Sequence, residues 1–235
     1  MTFPDKPPTT RTELFDRIHA VIAHGWHTMP DGPPYGGSGG PGRFLEDLLG
    51  LTTGSLDIPD AMGWELQWYT RKTGLVTLFH KEPDDPSAIM RHMVRAHGKR
   101  DAKGRLSFRH TIQGRSSRFQ VYDDAGQLVV RPRRGNGPVP YWYHESLLSA
   151  AGAKLNRLIM AEGERKGRDI RIVRADAYQT FHLTDFVYEI LMGRIAVDFD
   201  VREARPGSDG LRNHGTKFRI PPDGICRLYM RKWRV

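Results

Sequence analysis

"LDIPDAMGWELQWYT", residues 56–70, places two aspartates and a proline ahead of an aromatic, apolar run that encloses Glu65-Leu66-Gln67. "WELQWY" alternates well enough to form a strand. Residues two apart on a strand share one face, so Glu65 and Gln67 point the same way. Asp60 lies five positions before Glu65, and a bend at Met62-Gly63 would fold the chain back to set it beside that pair. A hard divalent cation takes oxygen ligands. Two carboxylates and a backbone carbonyl are a usual minimum, with water and a phosphate oxygen completing an octahedron. Such an ion acidifies a bound water and stabilises charge on a phosphate. Acids beside a strand are also commonly solvated or paired with arginine, and spacing alone leaves both readings open.

The charge balance speaks to the partner. Thirty-six Lys and Arg against 27 Asp and Glu give a net charge of +9. That excess favours a polyanion, most often nucleic acid, over a neutral or cationic partner. Arginine is the residue suited to bidentate phosphate and guanine contacts. The chain, of 235 residues and 38% hydrophobic, is long enough for one large domain or two lobes. Its longest apolar runs fall far short of a bilayer span, so no membrane partner is expected. The single cysteine, Cys226, excludes an internal disulfide and a cysteine-based zinc site, and points to a reducing compartment. "MTFPDKPPTTRTELF" has an acid and prolines where an export signal needs a basic flank and an apolar block, so a cytoplasmic location is expected.

Periodicity predicts a helix over residues 13–24, with Leu14, Ile18, Val21 and Ile22 on one face, then a Gly/Pro-dense loop over 25–42. That loop lacks a Lys after its glycines and a strand before them, which excludes a phosphate-binding P-loop. A short helix is expected over 42–50. The 65–70 strand is expected to form a hairpin around "RKTG" with a second strand in "GLVTLFHKEP", residues 74–83. Further helices are expected over 86–97 and 144–165, and a shorter one in "LTDFVYEILMG" capped by Thr184. "RLSFRHTI", "SRFQVYDDAGQLVVRPR" with a "DDAG" turn, "DIRIVRADAYQTF" and "RIAVDFDVRE" read as strands, and the C-terminal segment as a loop with one or two more. The class is α+β: a mixed sheet flanked by helices.

At this point the residues resemble a family. "Pro59-Asp60 … Glu65-Leu66-Gln67" resembles the PD-(D/E)xK nuclease signature, with Gln in the usual place of Lys. The longer "GRFLEDLLGLTTGSLDIPDAMGWELQ" is similar to the MutH-like branch, and within it to the MvaI/BcnI group of type II restriction endonucleases. A helix carrying "LE", a short loop, an Asp and then "ELK" follow in that order there. "NHGTKFRI", residues 213–220, is similar to that group's DNA-reading end. The resemblance implies a restriction-endonuclease-like fold: a single two-lobed domain over 1–235, its catalytic lobe roughly 12–125 and its recognition lobe roughly 126–235.

It also implies a Mg²⁺-dependent endonuclease, acting as a monomer on duplex DNA at a short CC-N-GG-like site, with a cognate DNA methyltransferase in the same host. Asp60 and Glu65 would ligate the metal, Gln67 would stand where a lysine orients the attacking water, and Glu46 would be the auxiliary carboxylate of the preceding helix. "DIPD" also offers Asp57 to the motif; Asp60 is favoured because it directly follows Pro59. Gln67 can hydrogen-bond but supplies no positive charge, and Lys72 or Lys81, across the expected hairpin, would make good the loss. His80 and His214 would read the central base pairs, one from each lobe. Arg212, Lys217, Arg219 and Arg231 are candidates for guanine or phosphate contacts, and Arg133 and Arg134 in "RPRRGNGP" for phosphate. Two other functions fit the same residues: a partner-dependent nicking enzyme of mismatch-repair type, and a catalytically silent DNA-binding protein.

Overall fold

The computed structural model describes residues 3–37, 39–51, 63–84, 88–113, 116 and 118–235. In chain order the elements are α1 (Arg11–His24), β1 (His27–Thr28), α2 (Gly40–Leu48), β2 (Glu65–Thr70), β3 (Val76–His80), α3 (Ile89–His97) and β4 (Lys99–Arg100). They continue with β5 (Leu106–Ile112), β6 (Phe119–Asp124), β7 (Gln127–Pro132), β8 (Tyr141–Tyr143), α4 (His144–Leu155), β9 (Arg157–Lys166) and β10 (Asp169–Phe181). The last are α5 (Phe186–Leu191), β11 (Ala196–Glu203), β12 (Leu211–Asn213), β13 (Lys217–Ile220) and β14 (Tyr229–Arg234). The class is α+β, as the pattern predicts.

The chain forms two compact units, one of residues 1–76, 152–182 and 225–235, the other of 77–151 and 183–224. The units interleave along the chain, where the sequence reading expected two consecutive lobes. In the first unit a sheet runs β1-β10-β9-β2, with β14 also paired to β10. α1 and α2 cover one face. α1 starts at Thr10, whose hydroxyl accepts from Glu13 N at 3.1 Å, and its stripe of Leu14, Ile18 and Val21 is buried with Phe44, Leu45, Leu48 and Leu49 of the α2 region against Leu66, Ile159, Ala161 and Ala175. Gly40 opens α2 because a Cβ there would lie 1.8 Å from Tyr35 O. The second unit holds a sheet in the order β3-β13-β11-β5-β4, with β12 beside β11, and a small sheet β6-β7-β8. The β6–β7 turn has positive φ at Ala125 (49°) and Gly126 (88°), the mirror-image turn that "DDAG" suits.

Three expectations are corrected. Residues 157–166 are a strand, not the second half of a helix over 144–165. Leu, Met, Ala and Glu favour a helix locally, but Leu158, Ile159, Met160 and Ala161 are all buried between β2 on one side and β10 on the other. A strand buried on both faces has no alternation to reveal it. The hairpin of β2 with β3 does not form either: β2 pairs in parallel with β9, and β3 joins β13. Their apolar side chains fill different cores, Trp64 and Leu66 with α1 and α2, Phe79 against Phe186 and Phe218. Also, Thr184 lies in a 3-10 turn (Leu183–Asp185), and α5 starts after Asp185 without a side-chain cap.

Gly163 on β9 is fixed by packing. A Cβ at this position would meet Trp68 Cη2 at 1.8 Å and Arg171 O at 2.7 Å. Gly163→Ala is therefore expected to lower stability by about 1–3 kcal/mol, as overpacking does, and Trp68→Leu in the same chain to recover part of the loss. Urea unfolding midpoints of the two single variants and the double variant measure this.

Candidate active site and nucleic-acid interface

β2 turns Leu66 and Trp68 toward the helices and Glu65, Gln67 and Tyr69 toward the opposite face. Glu65 is 4% exposed. Gln67 Nε2 donates to Glu65 Oε1 at 2.9 Å, and Lys154 Nζ, from the last turn of α4, lies 3.6 Å from Glu65 Oε2. The register explains the meeting: Glu65 pairs with Leu158, so the end of α4, just before β9, arrives beside the carboxylate. Tyr229 fixes that end, its buried hydroxyl donating to Leu155 O at 2.8 Å. Burial, with the nearby Glu65 carboxylate adding to it, pushes the Tyr229 phenol well above its ordinary range.

The same face carries a charged network further along. Glu162 of β9 accepts from Arg71 Nε at 3.0 Å and pairs with Arg174 at 3.2 Å. Asp176, 2% exposed, is held by Arg174 at 3.1 Å, Arg234 at 3.0 Å and Lys232 at 3.6 Å. Three carboxylates, Glu65, Glu162 and Asp176, thus share one sheet face with five cations.

Of the residues expected in the catalytic centre, Glu65 and Gln67 are brought into direct contact. Glu46 rides on α2 and pairs with Arg43 at 3.7 Å; the helix covers the Leu66 face of β2. Asp57 and Asp60 lie outside the described residues. Among the described residues no three His, Cys, Asp or Glu side chains gather as a metal site. The cation beside Glu65 is not the expected one. Lys72 is exposed and Lys81 is bound to Asp84 at 2.8 Å, each on a strand end that the absent hairpin would have brought over. Lys154 takes that place. No sequence signal could have named it, because its proximity comes from the parallel pairing alone.

In the second unit, β11 sets Asp198, Asp200 and Arg202 on one face of its sheet, with Thr111 and Lys217 opposite Asp198, Arg109 opposite Asp200, and Arg212 opposite Arg202. Arg219 Nη1 reaches Asp198 at 3.0 Å, and Arg109 Nε and Lys217 Nζ reach Asp200 at 2.9 and 3.4 Å. Burial opposes ionisation of Asp200, but Lys217, Arg109 and His214 outweigh it and lower its pKa. Five cations against two acids make this face a candidate for backbone contacts. Arg109 and Arg202 were missed in the sequence because only the strand register aligns them with the others.

His80 and His214 fall in this same unit, which corrects the expectation of one from each lobe. His80 Cδ2 would lie 3.0 Å from a Cβ at Gly215, whose φ is +83°. The turn between them is tied down by Glu82, which accepts from Thr216 N at 2.6 Å. Arg133, exposed, donates to Ser116 O at 2.7 Å, and Arg134 is exposed beside it. Arg231 belongs to the first unit, on β14, with its guanidinium 6.0 Å from the Trp233 ring.

Comparison with known proteins agrees with this architecture. The family model for the MvaI/BcnI restriction endonuclease family matches residues 16–229. The chain belongs to that family, and so to the restriction endonucleases, enzymes that cut DNA at specific sequences. Among solved structures it is similar to one described as a restriction endonuclease MvaI–cognate DNA substrate complex, with 23% identity, a TM-score of 0.80, and coverage of 97% of this chain and 99% of that one. It is also similar to restriction endonuclease MvaI in the absence of DNA, with 21% identity, a TM-score of 0.56, and coverage of 99% and 100%. These likenesses establish the fold. No curated protein matches, and no helix among the described residues is long and apolar enough to cross a membrane.

Tyr229→Phe removes the donor to Leu155 O and leaves a buried carbonyl unsatisfied. A loss of about 1 kcal/mol is expected, with slower DNA cleavage because Lys154 loses its anchor. Chemical denaturation and a cleavage time course on one preparation check both effects.

Proposed function

We propose that the protein is a Mg²⁺-dependent endonuclease that hydrolyses duplex DNA at a short, nearly palindromic CC-N-GG-like site, acting as a monomer in the cytoplasm of a host that carries the cognate methyltransferase. The observation that carries this reading is the buried Glu65 in contact with both Gln67 and Lys154, in a chain of this family. The donor suits the ion: a buried carboxylate is a hard oxygen ligand of the kind Mg²⁺ prefers. Glu65 and Asp60 would hold it, with Asp57 the other candidate aspartate. When bound, the ion would supply positive charge against the phosphate and acidify water.

The remaining roles fall to the chain. Hydrolysis forms one P–O bond to water as another breaks, so the water must lose a proton and the departing oxygen must gain one. Gln67, whose amide nitrogen is engaged by Glu65, has its carbonyl oxygen to accept from and align the attacking water. Lys154 stands in for the lysine that Gln67 replaces, placing an ammonium beside the carboxylate where negative charge develops. The cationic face of Arg109, Arg202, Arg212, Lys217 and Arg219 would lie along the backbone, and the exposed His80 and His214 would present imidazoles to base edges.

Incubation with bacteriophage DNA and Mg²⁺, followed by sequencing of fragment ends, tests the function and gives the site. Discrete ends within CC-N-GG sequences are expected; intact DNA under Mg²⁺ and Mn²⁺, with binding preserved, would favour the silent DNA-binding protein instead. Glu65→Gln is expected to slow cleavage by roughly three orders of magnitude, the several kcal/mol lost with a ligand carboxylate, while binding stays close to wild type. Of Asp57→Ala and Asp60→Ala, the latter is expected to match it.

A further inference from the structure

In the second unit, a cleft of about 310 Å³ opens between the end of α3, β4 and β5. Its walls carry Lys99, Arg100, Arg109 and Arg118, with His97 and His110 between them. One acid lines it, Asp101, and Arg105 grips that carboxylate with hydrogen bonds of 2.9 and 2.7 Å, which hold its pKa down to about 2. Among the described residues Lys99 has no ion-pair partner. With Asp101 held by Arg105 and Arg109 paired with Asp200 at 2.9 Å, the cleft keeps an excess of positive charge from Lys99, Arg100 and Arg118.

The histidines report the same field. Burial lowers the pKa of His97, and His92 and Arg118 lower it further. Burial likewise lowers His110, with Arg118 and Lys99 adding to the effect and Asp198 opposing it. Burial first and the neighbouring cations second disfavour the charged form of both imidazoles, and an imidazole in either form has a ring N–H to donate to an anion. Arg118 is already in place, donating from Nη2 to His97 O at 3.3 Å and resting 5.8 Å over the Phe119 ring. The Ser107 hydroxyl adds a neutral donor at the rim.

We propose that this cleft is a phosphoryl-binding pocket, in which Lys99 and Arg118 grip the anion and His97 and His110 donate to it. In the DNA complex its ligand is one backbone phosphate, an assignment that rests on the nuclease reading. A fixed guanidinium suits a phosphate's paired oxygens, and the lysine adds a point charge. Glu65 belongs to the chain's other unit, and the role assigned to the pocket is to hold DNA rather than to cleave it.

The test follows the imidazole signals of the full-length protein by NMR, assigned through His97→Gln and His110→Gln. The additions are sodium phosphate, a short CC-N-GG duplex without divalent metal, and NaCl at matched ionic strength. Phosphate and duplex are expected to shift both signals, and NaCl neither. A shift with duplex alone identifies the backbone as source; a shift with phosphate alone keeps the pocket and identifies free phosphate. Equal responses to phosphate and NaCl, with none to duplex, overturn the proposal.

Lys99→Ala combined with Arg118→Ala is expected to reduce the slope of log K against log salt by about one, the value of a single phosphate contact, without changing the cleaved sequence. Arg118→Lys, which keeps the charge, should retain most of that slope, and an unaltered slope in the double variant counts against the pocket. Failure of the nuclease reading looks different: duplex still shifts the histidines, yet no DNA is cut.

Discussion

The parallel pairing of β2 with β9 is the constraint on which the site depends. It sets Glu65 against Leu158 and Gln67 against Met160, and by doing so delivers the end of α4, with Lys154, to a carboxylate 89 residues earlier in the chain. A parallel pair needs a long crossover, and here the connection between the strands contains most of the other unit. The face that carries Glu65 is thus completed by a pairing that forms only after a large part of the chain has been laid down.

That pairing also accounts for the charge pattern. A carboxylate as buried as Glu65 needs hydrogen bonds and an opposite charge nearby, since desolvation of a lone ion costs several kcal/mol. Gln67 and Lys154 supply both, the strand's amide donating the hydrogen bond and the helix end bringing the positive charge. Glu162 and Asp176 repeat the arrangement along the same face, each clasped by arginines.

What the sequence made legible was whatever local periodicity encodes. The stripe of Leu14, Ile18 and Val21 marked α1, the alternation around Glu65 and Gln67 gave their common face, and "DDAG" gave the β6–β7 turn. β9 was misread because Leu158 to Ala161 are buried on both faces and composed of good helix formers, and the β2–β3 hairpin because a short linker between two strands does not reveal that they serve different cores. Lys154, Arg109 and Arg202 acquire their roles only from register. Asp57 and Asp60 fall outside the described residues, so their choice rests on the motif.

In the proposed mechanism Lys154 supplies the charge that Gln67 lacks. Single-turnover cleavage of a CC-N-GG duplex by Lys154→Met, and by Lys154→Met combined with Gln67→Lys, tests it most directly. The single variant is expected to be slower by about 10²–10³-fold, as when one preorganised donor is removed from a transition state, and the double variant to recover most of that rate. Wild-type rates in Lys154→Met, or no recovery in a double variant that folds and binds DNA normally, would contradict the account.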